Sequence, residues 1–348
     1  MKCPRARFAH CPQWGRVSGS GPDVTSGHEK RWPRVGLGCA ALGTPAPGLA
    51  DSTAVAVIEA AIVRGIRFFD VAPLYGGGLA EMRLGRALAG LPRDDYVLCT
   101  KTGVTRPFGE PPLPKGATRR RAHDVWDYSA SATRASIERS LERLRVDRLD
   151  VAHLHDTEDH LDRCLDAHGE LARLRDEGAV GAIGIGSNCV EPVAHLLTQA
   201  PFDAFLIAGC YTLLDQSART LIDDAHARGL RVVAGGVFNS GILARWPHPA
   251  PTFGYSPADE ATLARTARIA ALCAAHRVPI AAAALQFVTA NPAIDTVLLG
   301  PRSLVELDAN LAALRFPIPE ALWSALEAEA IIPRGSPRRS HAPDDALA

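Results

Sequence analysis

Four residues that can exchange protons or carry charge stand close to the ends of short apolar runs in this sequence. Asp70, Lys101 and His155 each end such a run, and Tyr75 follows Asp70 by five residues. An ammonium group beside a tyrosine hydroxyl stabilises the phenolate and lowers the tyrosine pKa from about 10. Asp70 would keep Lys101 charged, and Tyr75 could then exchange a proton near neutral pH. His155 would orient the reacting oxygen, so the set suits proton transfer coupled to a hydride step that a cofactor supplies.

These side chains meet only if the runs that carry them are neighbouring strands. Eight nearly continuous apolar runs alternate with longer amphipathic segments, a pattern typical of parallel strands covered on both faces. Neighbouring strands lie about 4.8 Å apart, so we expect Asp70 and Lys101 to form an ion pair. The predicted strands are Val35–Cys39, Ile66–Asp70, Tyr96–Lys101, Leu149–His155, Ala182–Ser187, Asp203–Ala208, Arg231–Gly235 and Thr296–Gly300.

The alternation predicts an α/β fold, a single-domain (β/α)8 TIM barrel over residues 32–332. A doubly wound sheet is the alternative, but no G-x-G-x-x-G opens a helix after an early strand. Two long connections, 102–131 after the third strand and 237–257 after the seventh, are expected to act as substrate or cofactor lids. Residues 1–31 and 333–348 have no apolar period, and we predict that both are disordered extensions.

Composition limits the possible partners. The 348 residues are 47% hydrophobic, which is enough for one large core, and the formal net charge is zero. This neutrality argues against a broad electrostatic grip on nucleic acid or on an anionic membrane. None of the eight cysteines forms a C-x-x-C pair, and no N-terminal apolar stretch has signal-peptide length. We therefore expect a cytoplasmic protein, of an oligomeric state that the sequence does not reveal.

Four dispersed segments resemble the aldo-keto reductases. They occur in the family's order, keep its five-residue spacing from aspartate to tyrosine, and the resemblance spans residues 35–330. It implies a catalytic tetrad of Asp70, Tyr75, Lys101 and His155. The segments are Gly65-Ile-Arg-Phe-Phe-Asp-Val-Ala-Pro-Leu-Tyr-Gly76, Cys99-Thr-Lys101, Leu149-Asp-Val-Ala-His-Leu-His155 and Gly184-Ile-Gly-Ser-Asn188.

Three further segments are similar to the sugar-dehydrogenase branch of that family. In that branch the anomeric C–H of a cyclic aldose, such as L-fucose, gives the hydride, its O–H loses a proton to the tyrosine, and the product is a lactone. The resemblance thus implies NAD or NADP as cofactor and a sugar or carbonyl compound as substrate. The segments are Trp126–Ser129, Ala208–Gln216 and Gly235–Leu243.

The resemblance also implies cofactor contacts, among them Ser187 and Asn188 for the nicotinamide carboxamide. The chain departs from the family where a glutamine is replaced near Ala208 and where an aromatic residue that stacks on the nicotinamide is replaced by Gly235. Tyr211 or Phe238 would compensate. The expected cofactor residues are Ser187, Asn188, Tyr211, Asn239, Ser240, Gly241, Gly300, Arg302, Glu306 and Asn310.

The adenosine end of the cofactor bears on the choice between NAD and NADP. The helix start within Gly300–Asn310 suits a phosphate. Glu306 stands where NADPH-specific members tend to carry an arginine, and a carboxylate repels a 2′-phosphate but accepts a hydrogen bond from a 2′-hydroxyl. Arg302 acts in the opposite sense. The balance favours NAD, with NADP as the alternative.

Other functions remain open. An aldehyde or ketone reductase, or a pyridoxal dehydrogenase, would share the tetrad and differ in direction or in lid contacts. His153 and His155 form an H-x-H pair on one strand face, which a metal-dependent barrel hydrolase would use. That motif needs a later carboxylate and further histidines, so we predict no metal. A barrel that binds nucleotide without turnover would also keep the tetrad.

Overall fold

The apolar runs form a closed barrel of eight parallel strands in a computed structural model that describes residues 32–45, 47–108, 124–254 and 256–338. Each strand pairs with its neighbours along the chain, and the first strand pairs with the last. The predicted (β/α)8 barrel is confirmed. The strands are β1 (Val35–Gly38), β2 (Phe68–Asp70), β3 (Val97–Thr102), β4 (Leu149–His155), β5 (Val180–Ser187), β6 (Ala204–Ala208), β7 (Arg231–Gly235) and β8 (Thr296–Leu299).

Helices surround the barrel, and two of them lie between β7 and β8. Ser129, Asp259 and Ser303 begin three of the helices by accepting a backbone N–H of the first turn, as N-cap residues do. The helices are α1 (Asp51–Val63), α2 (Leu79–Ala87), α3 (Ala130–Leu144), α4 (Cys164–Asp176), α5 (Val190–Gln199), α6 (Arg219–Ala227), α7 (Glu260–Ala275), α8 (Ile280–Thr289), α9 (Leu304–Arg315) and α10 (Glu320–Ala328).

A separate apolar cluster fills the inside of the barrel, and it includes Phe68, Cys99 and Val151. Trp32 packs on Phe68 with ring centroids 5.3 Å apart. Because side chains alternate between the two faces of a strand, the residue two positions after each of these also points inward. These next residues are Asp70, Lys101 and His153. The polar side chains therefore form the layer next to this apolar cluster, on the side where the strands end.

The two long connections follow β3 and β7, and residues 109–123 of the first lie outside the described residues. In the first, Val104–Thr105 pairs with Val125–Trp126 in an antiparallel arrangement. The guanidinium of Arg106 donates to both carboxylate oxygens of Asp124, at 2.7 and 2.9 Å, and this ion pair is buried. The second connection, between β7 and α7, contains a hairpin of Thr252–Phe253 and Ser256–Pro257.

The two predicted extensions fall largely outside the described residues, which leave out 1–31 and 339–348. Residues 333–338 are described and lie against α10, where the Gly335 N–H donates to the Glu327 carboxylate at 3.0 Å. Within the described residues, no single helix has the length and apolar character needed to cross a membrane. The pair α7 and α8 meets both criteria only when taken together across a 99° bend.

Candidate active site

Asp70 and Lys101 form a buried ion pair at the C-terminal end of β2 and β3. The Lys101 ammonium donates to both Asp70 oxygens, at 2.8 and 2.7 Å, and to the Val71 carbonyl at 2.9 Å. The two side chains are 1% and 5% exposed. Burial lowers the pKa of Lys101, but the charges of Asp70 and Tyr75 and hydrogen bonds to both outweigh burial and raise it above its ordinary value. Lys101 is therefore a cation at neutral pH.

Tyr75 and His155 complete the group around this cation. The Lys101 nitrogen lies 4.9 Å from the centroid of the Tyr75 ring. The rings of Tyr75 and His155 meet edge to face, with centroids 5.8 Å apart and planes at 88°. The buried Tyr128 hydroxyl donates to the His155 carbonyl at 2.6 Å and so fixes the end of β4. The structure brings the four predicted tetrad residues together at one mouth of the barrel.

The turn after Tyr75 requires glycine. Gly76–Gly78 all have positive φ, at 68°, 65° and 97°, a region that L side chains rarely adopt. A Cβ on the first of them would lie 2.1 Å from the Gly43 carbonyl oxygen, and one on the second would lie 2.3 Å from the Pro107 carbonyl oxygen. The backbone at Gly43 and at Pro107 therefore leaves no room for a side chain in this turn, and the close packing fixes the position of Tyr75.

Glu81 on α2 helps to position the strand that carries Lys101, and no sequence pattern had indicated this role. Its side chain is fully buried on α2. It accepts a hydrogen bond from the Thr100 hydroxyl and another from the Arg143 guanidinium, both at 2.7 Å. Thr100 immediately precedes Lys101. The carboxylate therefore ties α2 and α3 to the strand that carries the cation.

His153 lies inside the barrel and pairs in register with Lys101 on β3 and Gly184 on β5. A Cβ at Gly184 would be 2.3 Å from its Nδ1, so glycine makes room for the ring. Burial and the Lys101 charge lower the pKa of His153 to about 3, and neither ring nitrogen has a hydrogen-bond partner among the described residues. The imidazole is therefore neutral. Among the residues that the structure describes, no group of three or more His, Cys, Asp or Glu side chains could hold a metal ion.

Ser187 and Asn188 lie at the end of β5, where acidic residues of the β4–α4 loop contact them. The Ser187 hydroxyl donates to the Glu158 carboxylate at 2.8 Å, and the Asn188 side-chain amide donates to Asp156 at 3.3 Å. The Cys189 N–H donates to the Ser187 oxygen at 2.9 Å. Asp156 and Glu158 thus contact the two residues that are predicted to bind the nicotinamide, and no sequence pattern had indicated either carboxylate.

At two of the departures from the family pattern, no bulky side chain replaces the family residue. Ala208 and Gly235 are register partners on β6 and β7, and neither carries a bulky side chain. The ring of Tyr211 stacks on Phe287, with centroids 5.2 Å apart, and its hydroxyl bonds to the Asn291 side chain. It is 4% exposed and belongs to the core. The structure therefore places Tyr211 in the core against α8, and its contact with a cofactor stays a prediction.

The loop after β7 has an unusual backbone at the predicted cofactor residues. Asn239, Ser240 and Gly241 have positive φ angles of 45°, 63° and 95°. The buried Asn239 amide donates to the Gly209 carbonyl at 3.0 Å, while its Oδ1 has no hydrogen-bond partner among the described residues. A buried acceptor without a donor is unfavourable, so this oxygen suits a ligand N–H or O–H.

At the helix start predicted to bind the adenosine end of the cofactor, Glu306 contacts Arg302. The Glu306 carboxylate accepts the Arg302 backbone N–H at 2.8 Å and its guanidinium at 3.1 Å. Ser303 caps α9 between them, and Asn310 lies one turn beyond Glu306 on the same helix, while Gly300 directly follows β8. The carboxylate therefore offsets the positive charge that Arg302 would offer to a phosphate at this helix start.

A closed parallel barrel with a buried lysine, a tyrosine and a histidine at the C-terminal ends of its strands defines a class of barrel oxidoreductases. A profile of the Aldo/keto reductase family matches residues 34–330, and the chain belongs to that family. Its members use a nicotinamide cofactor.

Several relatives are similar over most of their length. The chain is 39% identical over 313 residues to a D-threo-aldose 1-dehydrogenase of Pseudomonas sp, covering 86% of this chain and 95% of the relative. It is 34% identical over 322 residues to a pyridoxal 4-dehydrogenase of Microbacterium luteolum, covering 86% and 94%. An L-galactose dehydrogenase of Arabidopsis thaliana is 31% identical over 287 residues, covering 80% and 83%.

Solved structures share the fold at lower identity. An aldo-keto reductase of Bacillus halodurans in its holo form has a TM-score of 0.67 and 23% identity, covering 90% of this chain and 95% of that one. A glycerol dehydrogenase of Gluconobacter oxydans has the same score and identity, covering 90% and 97%.

The residues present fit a nicotinamide cofactor. Asn239 offers a buried oxygen that has no hydrogen-bond partner among the described residues, and Ala208 and Gly235 place no bulky side chain at the ends of β6 and β7. Ser187 and Asn188 add hydrogen-bonding groups at the adjacent strand end.

Proposed function

We propose that this protein is an NAD(P)-dependent dehydrogenase that oxidises a cyclic aldose at C1 to a lactone. The observation that carries the proposal is the Lys101 cation, held by Asp70 at 2.7 Å and placed 4.9 Å from the Tyr75 ring. The similarity to a D-threo-aldose 1-dehydrogenase, at 39% identity, supports the substrate class.

In this proposal Tyr75 is the acid/base. As a phenolate stabilised by Lys101, it takes the proton of the anomeric hydroxyl while the C1–H bond breaks and the C1–O bond becomes a carbonyl. The bound cofactor supplies the acceptor for the hydride. His155, edge to face with Tyr75, orients the same oxygen by a hydrogen bond. Asp70 acts through Lys101, because it keeps that side chain charged and aimed.

Pyridoxal is a second candidate substrate, because the chain is 34% identical to a pyridoxal 4-dehydrogenase. The tetrad would act on it by the same proton transfer. For the cofactor we favour NAD over NADP, since Glu306 engages Arg302 and would repel a 2′-phosphate.

A substrate screen that follows nicotinamide absorbance tests the proposal. It covers L-fucose, L-galactose, D-arabinose and pyridoxal, each with NAD and with NADP. Tyr75→Phe should lower kcat by roughly 10²–10⁴-fold with little change in cofactor affinity, because only the exchangeable proton is lost. Tyr96→Phe is the matched control, since Tyr96 packs on Phe69 away from the mouth. Near-normal turnover by Tyr75→Phe would refute the mechanism.

A further inference from the structure

Glu158 contacts both residues that would hold the nicotinamide carboxamide. One of its oxygens accepts the Ser187 hydroxyl at 2.8 Å and the Asn188 backbone N–H at 3.4 Å. Asp156, two residues earlier, accepts the Asn188 side-chain amide at 3.3 Å. Two carboxylates from one loop therefore bond to the end of β5.

The contact with Glu158 decides which way the Ser187 hydroxyl points. That hydroxyl has one proton and two possible acceptors, Glu158 at 2.8 Å and the Cys189 carbonyl at 3.1 Å. The Glu158 carboxylate is closer and charged, so the Ser187 hydroxyl donates its hydrogen bond to this carboxylate. Towards a ligand Ser187 then presents a lone pair, which suits the NH₂ of a carboxamide and not its oxygen.

The charge of Glu158 bears on the oxidation state of the cofactor. An oxidised nicotinamide ring is positive and a reduced ring is neutral, so a nearby carboxylate stabilises the oxidised form more. Resting on the function proposed above, we propose that Glu158 is a positioning residue that orients Ser187 and makes the site prefer oxidised over reduced cofactor. Such a preference suits a dehydrogenase, which must capture the oxidised form and release the reduced one.

Equilibrium titration of cofactor affinity tests this inference without turnover. Dissociation constants for NAD⁺ and NADH, and for the phosphorylated pair, are measured for the wild type, Glu158→Gln and Glu158→Ala. Glu158→Gln should weaken the oxidised form by roughly three- to tenfold and leave the reduced form within about twofold, because it removes charge and keeps an acceptor. Glu158→Ala should weaken both forms, because the Ser187 hydroxyl loses its closer, charged acceptor and is no longer held in one orientation.

Asp176→Asn is the matched control, since this exposed carboxylate carries the same charge on the last residue of α4, at the end of the helix opposite the mouth. Its affinity ratio should equal that of the wild type. If Glu158→Gln binds both forms with the wild-type ratio, this inference is wrong while the proposed function stands. If the wild type binds no nicotinamide cofactor at all, the proposed function is wrong and this inference falls with it.

Discussion

Replacing Lys101 with methionine would leave Asp70 charged and uncompensated inside the barrel. Methionine keeps an unbranched side chain but removes an ammonium that donates to both Asp70 oxygens and to the Val71 carbonyl and also bonds to Tyr75. Since the Asp70 side chain is 5% exposed, water does not replace the lost partner. Removing one member of a buried pair costs about 3–5 kcal/mol of unfolding free energy.

The size of this loss should depend on pH, in a direction that Asp70 decides. Burial raises the pKa of Asp70, and in the wild type Lys101 opposes that effect. In Lys101→Met the opposition is gone, so the folded-state pKa rises further above the value of about 3.9 in the unfolded chain. Between these two values the folded protein holds a proton that the unfolded chain has lost. Stability of the variant therefore falls as pH rises through this window.

Thermal unfolding at an acidic and a mildly alkaline pH measures the effect. At about 2 °C per kcal/mol, we expect the Tm of Lys101→Met to fall by about 6–10 °C at the higher pH and by less at the lower one. The double variant Asp70→Asn with Lys101→Met should be more stable than Lys101→Met at the higher pH. Arg268→Met, which breaks an exposed pair with Glu329, is the control and should cost about 1 kcal/mol or less. A wild-type Tm for Lys101→Met at both pH values would refute the reasoning.

Two further substitutions test other parts of the site. The pKa of His153 is lowered to about 3, so between that pH and about 6.5 only the unfolded chain takes up its proton, and stability falls as pH falls. His153→Gln should flatten this dependence in unfolding experiments across the window, and an unchanged slope would contradict the neutral imidazole. Glu306→Gln removes the charge that opposes a 2′-phosphate and loosens Arg302, so the ratio of Kd for NADP to Kd for NAD should fall by roughly tenfold. A constant ratio would show that Glu306 does not select the cofactor.

The strands could be predicted because their signal is local. Parallel strands covered on both faces are apolar along nearly their whole length, so β4 has the bounds predicted for it. The predicted start of β2, Ile66, precedes the observed Phe68 by two residues, because Ile66 is buried although it lies before the backbone pairing begins. The tetrad followed from the same pattern, since Asp70, Lys101 and His155 end runs whose C-terminal ends must meet at one mouth.

By itself the sequence determined the barrel and the group of Asp70, Tyr75, Lys101 and His155, because strand periodicity and strand ends are properties of a few consecutive residues. Only the tertiary structure decided what the loop and inward side chains contact. Ser187 meets a carboxylate 29 residues earlier in the chain, and Tyr211 stacks on Phe287 of α8 instead of facing the mouth. Such partners depend on how distant segments pack around the closed barrel, and no local pattern encodes them.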